Sequence, residues 1–208
     1  MDTLARIFGS EHKVKAMRLF LFNPGTAFDV GMLSTKLGAK PRDINTEISE
    51  LIKAGLVKKT SVIRTVQVKK GKRMVAKKTR EKAFVLDTKF VYADALSDFL
   101  VRTHSLERKK IVKRIEKTGR IKAVLMAGVF TKNPESRLDL FVVGDNVNTS
   151  SLDRVVKSIE SDIGKDIRYA TLSAPDFAYR VGMNDRLVRD VLDFPHEVLV
   201  DKIGISGR

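Results

Sequence analysis

The chain changes its hydrophobic period at Gly55. Upstream, Ile44, Ile48, Leu51 and Ile52 recur at the three- and four-residue spacing that gathers apolar side chains on one face of a helix. Pro41 suits the first turn of that helix, and Gly55 suits its end. Downstream, Leu56-Val57 opens a stretch in which Val57, Val62, Ile63, Val66 and Val68 are β-branched, which favours strand. Lys69-Lys70-Gly71-Lys72 is a turn signal, Met74-Val75-Ala76 begins a return arm, and Ala83-Phe84-Val85-Leu86 completes it. The spacing therefore predicts a helix that stops at a glycine and runs straight into a long β-hairpin.

Two further helices precede it. In residues 13–22, Val14, Met17, Leu19, Phe20 and Leu21 suit one face, Ser10 is a suitable N-cap, and Asn23-Pro24-Gly25 ends the helix. A short helix at Val30–Leu37 is closed by Gly38. With Ile44, Ile48, Leu51 and Ile52 facing inward, Arg42, Asn45, Thr46, Ser49 and Lys53 are left on the opposite face of the third helix. Three short helices with a glycine-containing break between the second and third describe a helix-turn-helix.

Charge is divided unevenly along the chain. Residues 1–119 hold 27 Lys and Arg against 12 Asp and Glu, while residues 120–208 hold 13 of each, so the first stretch carries the whole formal charge of +15. Residues 58–82 concentrate it: Lys58, Lys59, Arg64, Lys69, Lys70, Lys72, Arg73, Lys77, Lys78, Arg80 and Lys82 stand against Glu81 alone. A hairpin kept charged only to prevent edge pairing would mix signs. A concentrated cationic field attracts polyanions and releases their counterions on binding. A membrane-surface patch usually comes with an amphipathic helix that carries large apolar residues opposite the basic ones, and this stretch lacks that pattern.

On these residues, 12–87 resembles a winged-helix DNA-binding domain. Leu33-Ser-Thr-Lys-Leu37-Gly38 followed by Ile48-Ser-Glu-Leu51-Ile-Lys-Ala54-Gly55-Leu56-Val57 is similar to the second and third helices of that family leading into the first wing strand. The resemblance implies that the third helix enters the major groove of double-stranded DNA. The DNA-binding set expected from it is Lys40, Arg42, Asn45, Thr46, Ser49 and Lys53 from the helix, with Arg64, Lys69, Lys70, Lys72, Arg73, Lys77 and Lys78 from the wing. The wing would track phosphates and the helix would read bases.

Residues 90–117 read as one or two helices, with Tyr92, Leu96, Phe99 and Leu100 on one apolar face, continued by Leu106, Ile111, Val112 and Ile115. Arg108, Lys109, Lys110, Lys113 and Arg114 crowd the polar side. Two readings stand side by side: a linker packed on both domains, or a dimerisation element making a homodimer, since operator readers are often two-fold symmetric.

The neutral half alternates strand and helix. Ile121–Ala127 and Leu138–Val143 are strand candidates, Ser151–Ile163 is an amphipathic helix, and Ile167–Leu172 is a third strand. Ser173 caps a further helix with Pro175 in its first turn, and Val198–Val200 is a short strand or extended tail. This order predicts a small α/β domain with a mixed sheet. Its turn Gly128-Val129-Phe130 and strand Ser136-Arg137-Leu138-Asp139-Leu140-Phe141-Val142-Val143 resemble a minimal nucleotidyltransferase domain. The departures carry as much weight: Val129 stands at the family's serine, Arg137 at its first Asp, and Arg168 at its third carboxylate. Two-metal phosphoryl transfer needs clustered carboxylates, so the resemblance implies a pseudoenzyme with no catalytic residues, no metal and no cofactor. Gly128, Arg137 and Arg168 are left as candidate anion-binding groups, for a nucleotide effector, and a protein effector is equally open.

Cysteine is absent, which excludes disulfides, thiolate zinc sites and cysteine nucleophiles, and His12, His104 and His196 show no metal-ligand spacing. No run approaches the roughly 18 apolar residues of a membrane helix, and Asp2 in a broken apolar stretch is unlike a signal peptide, so a cytoplasmic chain is expected. The whole is read as an α+β protein: a winged helix at 1–88, a helical connector at 89–119, and a nucleotidyltransferase-like domain at 120–208. The expected function is a DNA-binding transcription regulator with an inactive regulatory or oligomerisation domain. The alternatives are an active nucleotidyltransferase acting on a protein or nucleic acid, and a non-DNA interaction protein such as an antitoxin-like or RNA-associated partner.

Overall fold

Each early helix starts and stops where its caps dictate. A computed structural model of the chain describes residues 3–70, 73–104, 108–131, 133 and 135–205, with the backbone alone described at 66–70, 73–75, 77 and 101–104. Helix α1 (Thr3–Phe8) is followed by α2 (Glu11–Phe22), whose N-cap Ser10 accepts a hydrogen bond from the Lys13 N–H at 3.3 Å. A two-residue strand, β1 (Phe28–Asp29), leads into α3 (Val30–Leu37), and the Asp29 carboxylate caps α3 by accepting from the Met32 N–H at 2.9 Å. Gly38 closes α3 with φ +62°, a left-handed conformation that glycine adopts without strain. Helix α4 (Pro41–Lys53) begins with proline in its first turn.

The chain divides into two units: residues 1–102 with 161–165, and residues 103–160 with 166–208. In the first, Val14, Met17 and Phe20 of α2, Leu33 and Leu37 of α3, and Ile44, Ile48 and Leu51 of α4 enclose one core. Phe20 and Phe28 meet edge to face with ring centroids 5.6 Å apart. Strands β2 (Val57–Lys70) and β3 (Arg73–Leu86) form the expected antiparallel hairpin, and β1 adds to β3 at Phe28 and Asp29, giving the order β1-β3-β2. Among the described side chains, burial in the hairpin is confined to its root, through Leu56, Val57, Ala83 and Leu86.

Asp29 ties the helices to that hairpin. One carboxylate oxygen caps α3 and the other pairs with the Arg64 guanidinium of β2, which also reaches Glu81 of β3 at 3.7 Å. The expected boundary at residue 88 moves. Helix α5 (Ala93–His104) sends Leu100 into the first core, with Phe90, Ala93 and Leu96 packed against it, so the unit boundary falls at Arg102, within the expected 89–119 connector.

The second unit begins with α6 (Arg108–Glu116) and holds a four-stranded mixed sheet in the order β6-β5-β4-β7. Its strands are β4 (Arg120–Met126), β5 (Leu140–Asp145), β6 (Tyr169–Leu172) and β7 (Glu197–Asp201). Helix α7 (Thr149–Ile163) connects β5 to its parallel neighbour β6, while β4 runs antiparallel to both β5 and β7. Ala123, Leu125, Phe141 and Val143 pack with Phe177 of α8 (Ala174–Gly182) and with Val188 and Val191 of α9 (Arg186–Asp193). The alternate residues Val124, Met126, Leu140 and Val142 are buried too, so both faces of these central strands are covered. Among the described residues no helix is long and apolar enough to cross a membrane.

Asp29→Ala removes a helix cap and the partner of Arg64, whereas Asp29→Asn keeps an oxygen for the cap. Asp29 is buried but its partner Arg64 is 42% exposed, so solvent screening weakens the pair and the cap carries the larger share of the loss. Chemical denaturation should show the alanine variant destabilised by about 1–2 kcal/mol and the asparagine variant by clearly less.

Candidate functional site

A helix advances about 100° per residue, and that angle sorts α4 into three stripes. Ile44, Ile48 and Leu51 form the buried one. Asp43, Glu47 and Glu50 form a second, acidic stripe, which is partly neutralised: Lys13 of α2 lies 3.7 Å from Glu47, and Lys53 lies 3.1 Å from Glu50. The third stripe holds Arg42, Asn45, Thr46, Ser49 and Lys53, all exposed and free of acids. Lys40 is exposed one residue before Pro41, at the N-cap position, where its side chain makes no capping bond. The residues expected from the sequence on α4 thus share one surface, with Lys53 at its acidic border.

The hairpin has two unlike faces. Residues directly opposed in an antiparallel pair share a face, and the register pairs Ser61 with Lys82, Ile63 with Arg80, and Thr65 with Lys78. With Lys59 on the same face, this side is buried or half-buried at Val57, Phe84 and Leu86 but exposed at every described position beyond them, and it contains Lys59, Lys78, Arg80 and Lys82 without a carboxylate. Ile63 sits among them at 71% exposure, and the Arg80 Nε donates to the Ser61 hydroxyl at 2.8 Å. The other face holds Val62, Arg64, Thr79 and Glu81, each half-buried.

Arg64 therefore does not stand among the free wing cations as expected; Asp29 and Glu81 engage it midway along the hairpin. Lys78 is exposed as expected. The backbone register puts Lys69 on the exposed basic face and Lys70, Arg73 and Lys77 on the opposite one. Their side chains, and Lys72 entirely, lie outside the described residues. Lys59, Arg80 and Lys82 belong to the site although the expected DNA-binding set omitted them. Their signal was available: once Gly71-Lys72 is taken as the turn, strand alternation assigns every residue of both arms to a face.

The second candidate surrounds Gly128. A 3₁₀ turn, Gly128–Phe130, follows β4, and Gly128 adopts φ +50°. A Cβ there would overlap the carboxylate of Asp139, which is 3% exposed. That carboxylate accepts four hydrogen bonds: from the Val129 N–H at 2.9 Å, and from the Arg168 N–H, Nε and Nη2 at 2.9, 3.0 and 3.1 Å. Burial pushes the Asp139 carboxyl up, but the Arg168 guanidinium and the two backbone donors outweigh it and hold the group below its ordinary value. Arg137 is paired with Asp190 of α9 at 2.6 Å. Both guanidinium groups expected to attract an anion are thus already engaged by carboxylates, and Gly128 serves the approach of Asp139. Among the described residues, no three His, Asp or Glu side chains gather as a metal-binding group.

Comparison with protein-family models, with curated proteins and with solved structures finds no match.

Two substitutions probe the Gly128 cluster. Asp139→Asn should lower the stability of the second unit by about 2–3 kcal/mol at neutral pH, because it removes a charged acceptor from four bonds. A depressed folded-state pKa means that this contribution is complete above the unfolded carboxyl's pKa of about 4 and is lost as the pH falls through the folded value. Acid unfolding should accordingly be shallower in the variant over that range. Gly128→Ala should destabilise to a similar degree, read by thermal unfolding, since it both strains the backbone and displaces Asp139.

Proposed function

We propose that the chain is a regulator that binds double-stranded DNA through a winged-helix unit, with α4 as the groove-reading helix and the β2–β3 hairpin as the wing. The observation that carries this reading is the hairpin's charge: eleven bases and one acid between residues 58 and 82, with that acid, Glu81, already beside Arg64. A cationic hairpin of this density suits a phosphate backbone. The acid-free stripe of α4 supports it further. Arg and Asn have the bidentate geometry that recognises guanine and adenine edges, and Thr46 and Ser49 can bond to several bases.

The second unit is read as a nucleotidyltransferase-like platform without chemistry, regulatory or oligomeric in role. Support comes from Asp139, the one carboxylate that keeps the family's position. It is saturated by protein donors and faces an arginine where a third carboxylate would be needed. Incubation with labelled ATP and Mg²⁺ should leave no labelled product; transfer abolished by Asp139→Asn would overturn this part of the proposal.

Selection of bound duplexes from a random pool tests the DNA reading directly. An enriched motif is expected, and a palindromic one would also indicate a two-fold assembly. Substituting Gln at Lys78, Arg80 and Lys82 should weaken binding to all duplexes alike and reduce the steepness of its salt dependence by about 0.9 for each phosphate no longer neutralised. Arg42→Ala or Asn45→Ala should instead erase about 1–3 kcal/mol of preference between the selected and scrambled sequences. Weak, salt-insensitive binding by the unaltered protein would refute the reading.

A further inference from the structure

We infer that α6 carries a second binding element for the nucleic-acid backbone, on the unit that does not contain the hairpin; this rests on the nucleic-acid reading above. The division of charge in sequence order hides it. Residues 108–117 hold six Lys and Arg against Glu116 alone, and they belong to the second unit. That surplus of five is a third of the chain's net charge of +15.

The helix has one apolar side, and it is used up. Ile111 and Ile115 are buried and Val112 is half-buried. On the opposite side, Lys109 and Lys113 recur at i and i+4, and Lys117 follows at i+8, just past the helix end; all three are exposed. Positions four apart lie about 6 Å apart along the axis, so the three form a row rather than a cluster. Of the nearby acids among the described residues, Glu116 pairs with Lys202 at 3.7 Å and Glu197 with Arg108 at 2.7 Å. No carboxylate of the described residues lies within ion-pair distance of Lys109, Lys113 or Lys117.

Helix stability does not explain the row. Cations near a helix C-terminus favour the macrodipole, which would account for Lys113 and Lys117. Lys109, with Arg108 and Lys110, lies in the first turn, where the dipole opposes positive charge. A membrane surface is the poorer occupant, because interfacial helices insert an apolar face and the one on α6 is buried in its own unit. A polyanion that offers phosphates in a row satisfies the exposed lysines without calling on any apolar surface.

The test compares two variants of the full chain on one random-sequence duplex across a salt series: Lys109, Lys113 and Lys117 to Gln, and Lys78, Arg80 and Lys82 to Gln. Lys109, Lys113 and Lys117 to Arg serves as the charge-preserving control. The α6 glutamine variant should flatten the dependence of log affinity on log salt by about 2 to 3, and the arginine variant should restore it. An unchanged slope in the α6 variant, with a flattened one in the hairpin variant, overturns this inference and leaves the DNA reading standing. Flattening in the α6 variant alone supports the inference and removes the hairpin from the proposed function. Absence of duplex binding by the unaltered chain removes both. Anionic vesicles provide the remaining arm: co-sedimentation abolished in the α6 variant while its duplex slope is unchanged would assign the row to a membrane instead.

Discussion

The hairpin depends on its buried root. Two strands of fourteen residues make an isolated ribbon that water would not sustain, since a hairpin needs a third strand or a packed face for independent stability. Here Val57, Ala83 and Leu86 are buried at its base, β1 contributes a third strand for two residues, and Asp29 holds Arg64. Among the described residues, those interactions lie in the half of the hairpin nearest the helices. Beyond the Arg64–Thr79 pair the described side chains, Thr65, Ala76 and Lys78, are exposed, which leaves the outer hairpin open to charge. The concentration of lysine and arginine along it is the chemical counterpart of having its anchor at one place.

The same economy shapes α4. Three narrow stripes on one helix serve three purposes: Ile44, Ile48 and Leu51 attach it, Glu47 and Glu50 meet lysines, and the row from Arg42 to Lys53 remains open to solvent. Around Gly128 the second unit follows the opposite logic. Two backbone donors and a guanidinium saturate a buried carboxylate, and a glycine leaves room for them. Such a cluster stiffens a turn; its charges are turned toward each other.

Much of this could be read from residues with local causes. Ser10, Gly38, Pro41 and Gly55 marked helix ends because capping and backbone conformation act within a few residues. What was missed had non-local or faint causes. Strand β1 is two residues long and is a strand only because Phe28 and Asp29 pair with β3, more than fifty residues away. Helix α1 spans six residues and buries only Leu4 and Ala5. Helix α9 did leave a trace: Asp185 caps it at Leu187 and Val188, ahead of an apolar pair at Val188 and Val191. The ion pairs Arg168–Asp139, Arg137–Asp190 and Arg64–Asp29 each join distant parts of the chain, and no spacing rule would have found them. The connector misled for a related reason, since one continuous polar and apolar pattern covers α5 and α6 although they belong to different units.

The reach of β1 has one more implication. It pairs with β3 only opposite Ala83 and Phe84, so the outward backbone of both hairpin arms beyond that point meets no neighbouring strand among the described residues. Bare strand margins recruit other chains unless like charges keep them apart. The lysines and arginines proposed to meet a polyanion also guard these margins against self-association. On the proposed reading the two duties are inseparable at the level of the residue: without a polyanion to bind, the arm could still not simply be neutralised, but would have to be shortened or to exchange one kind of like charge for another.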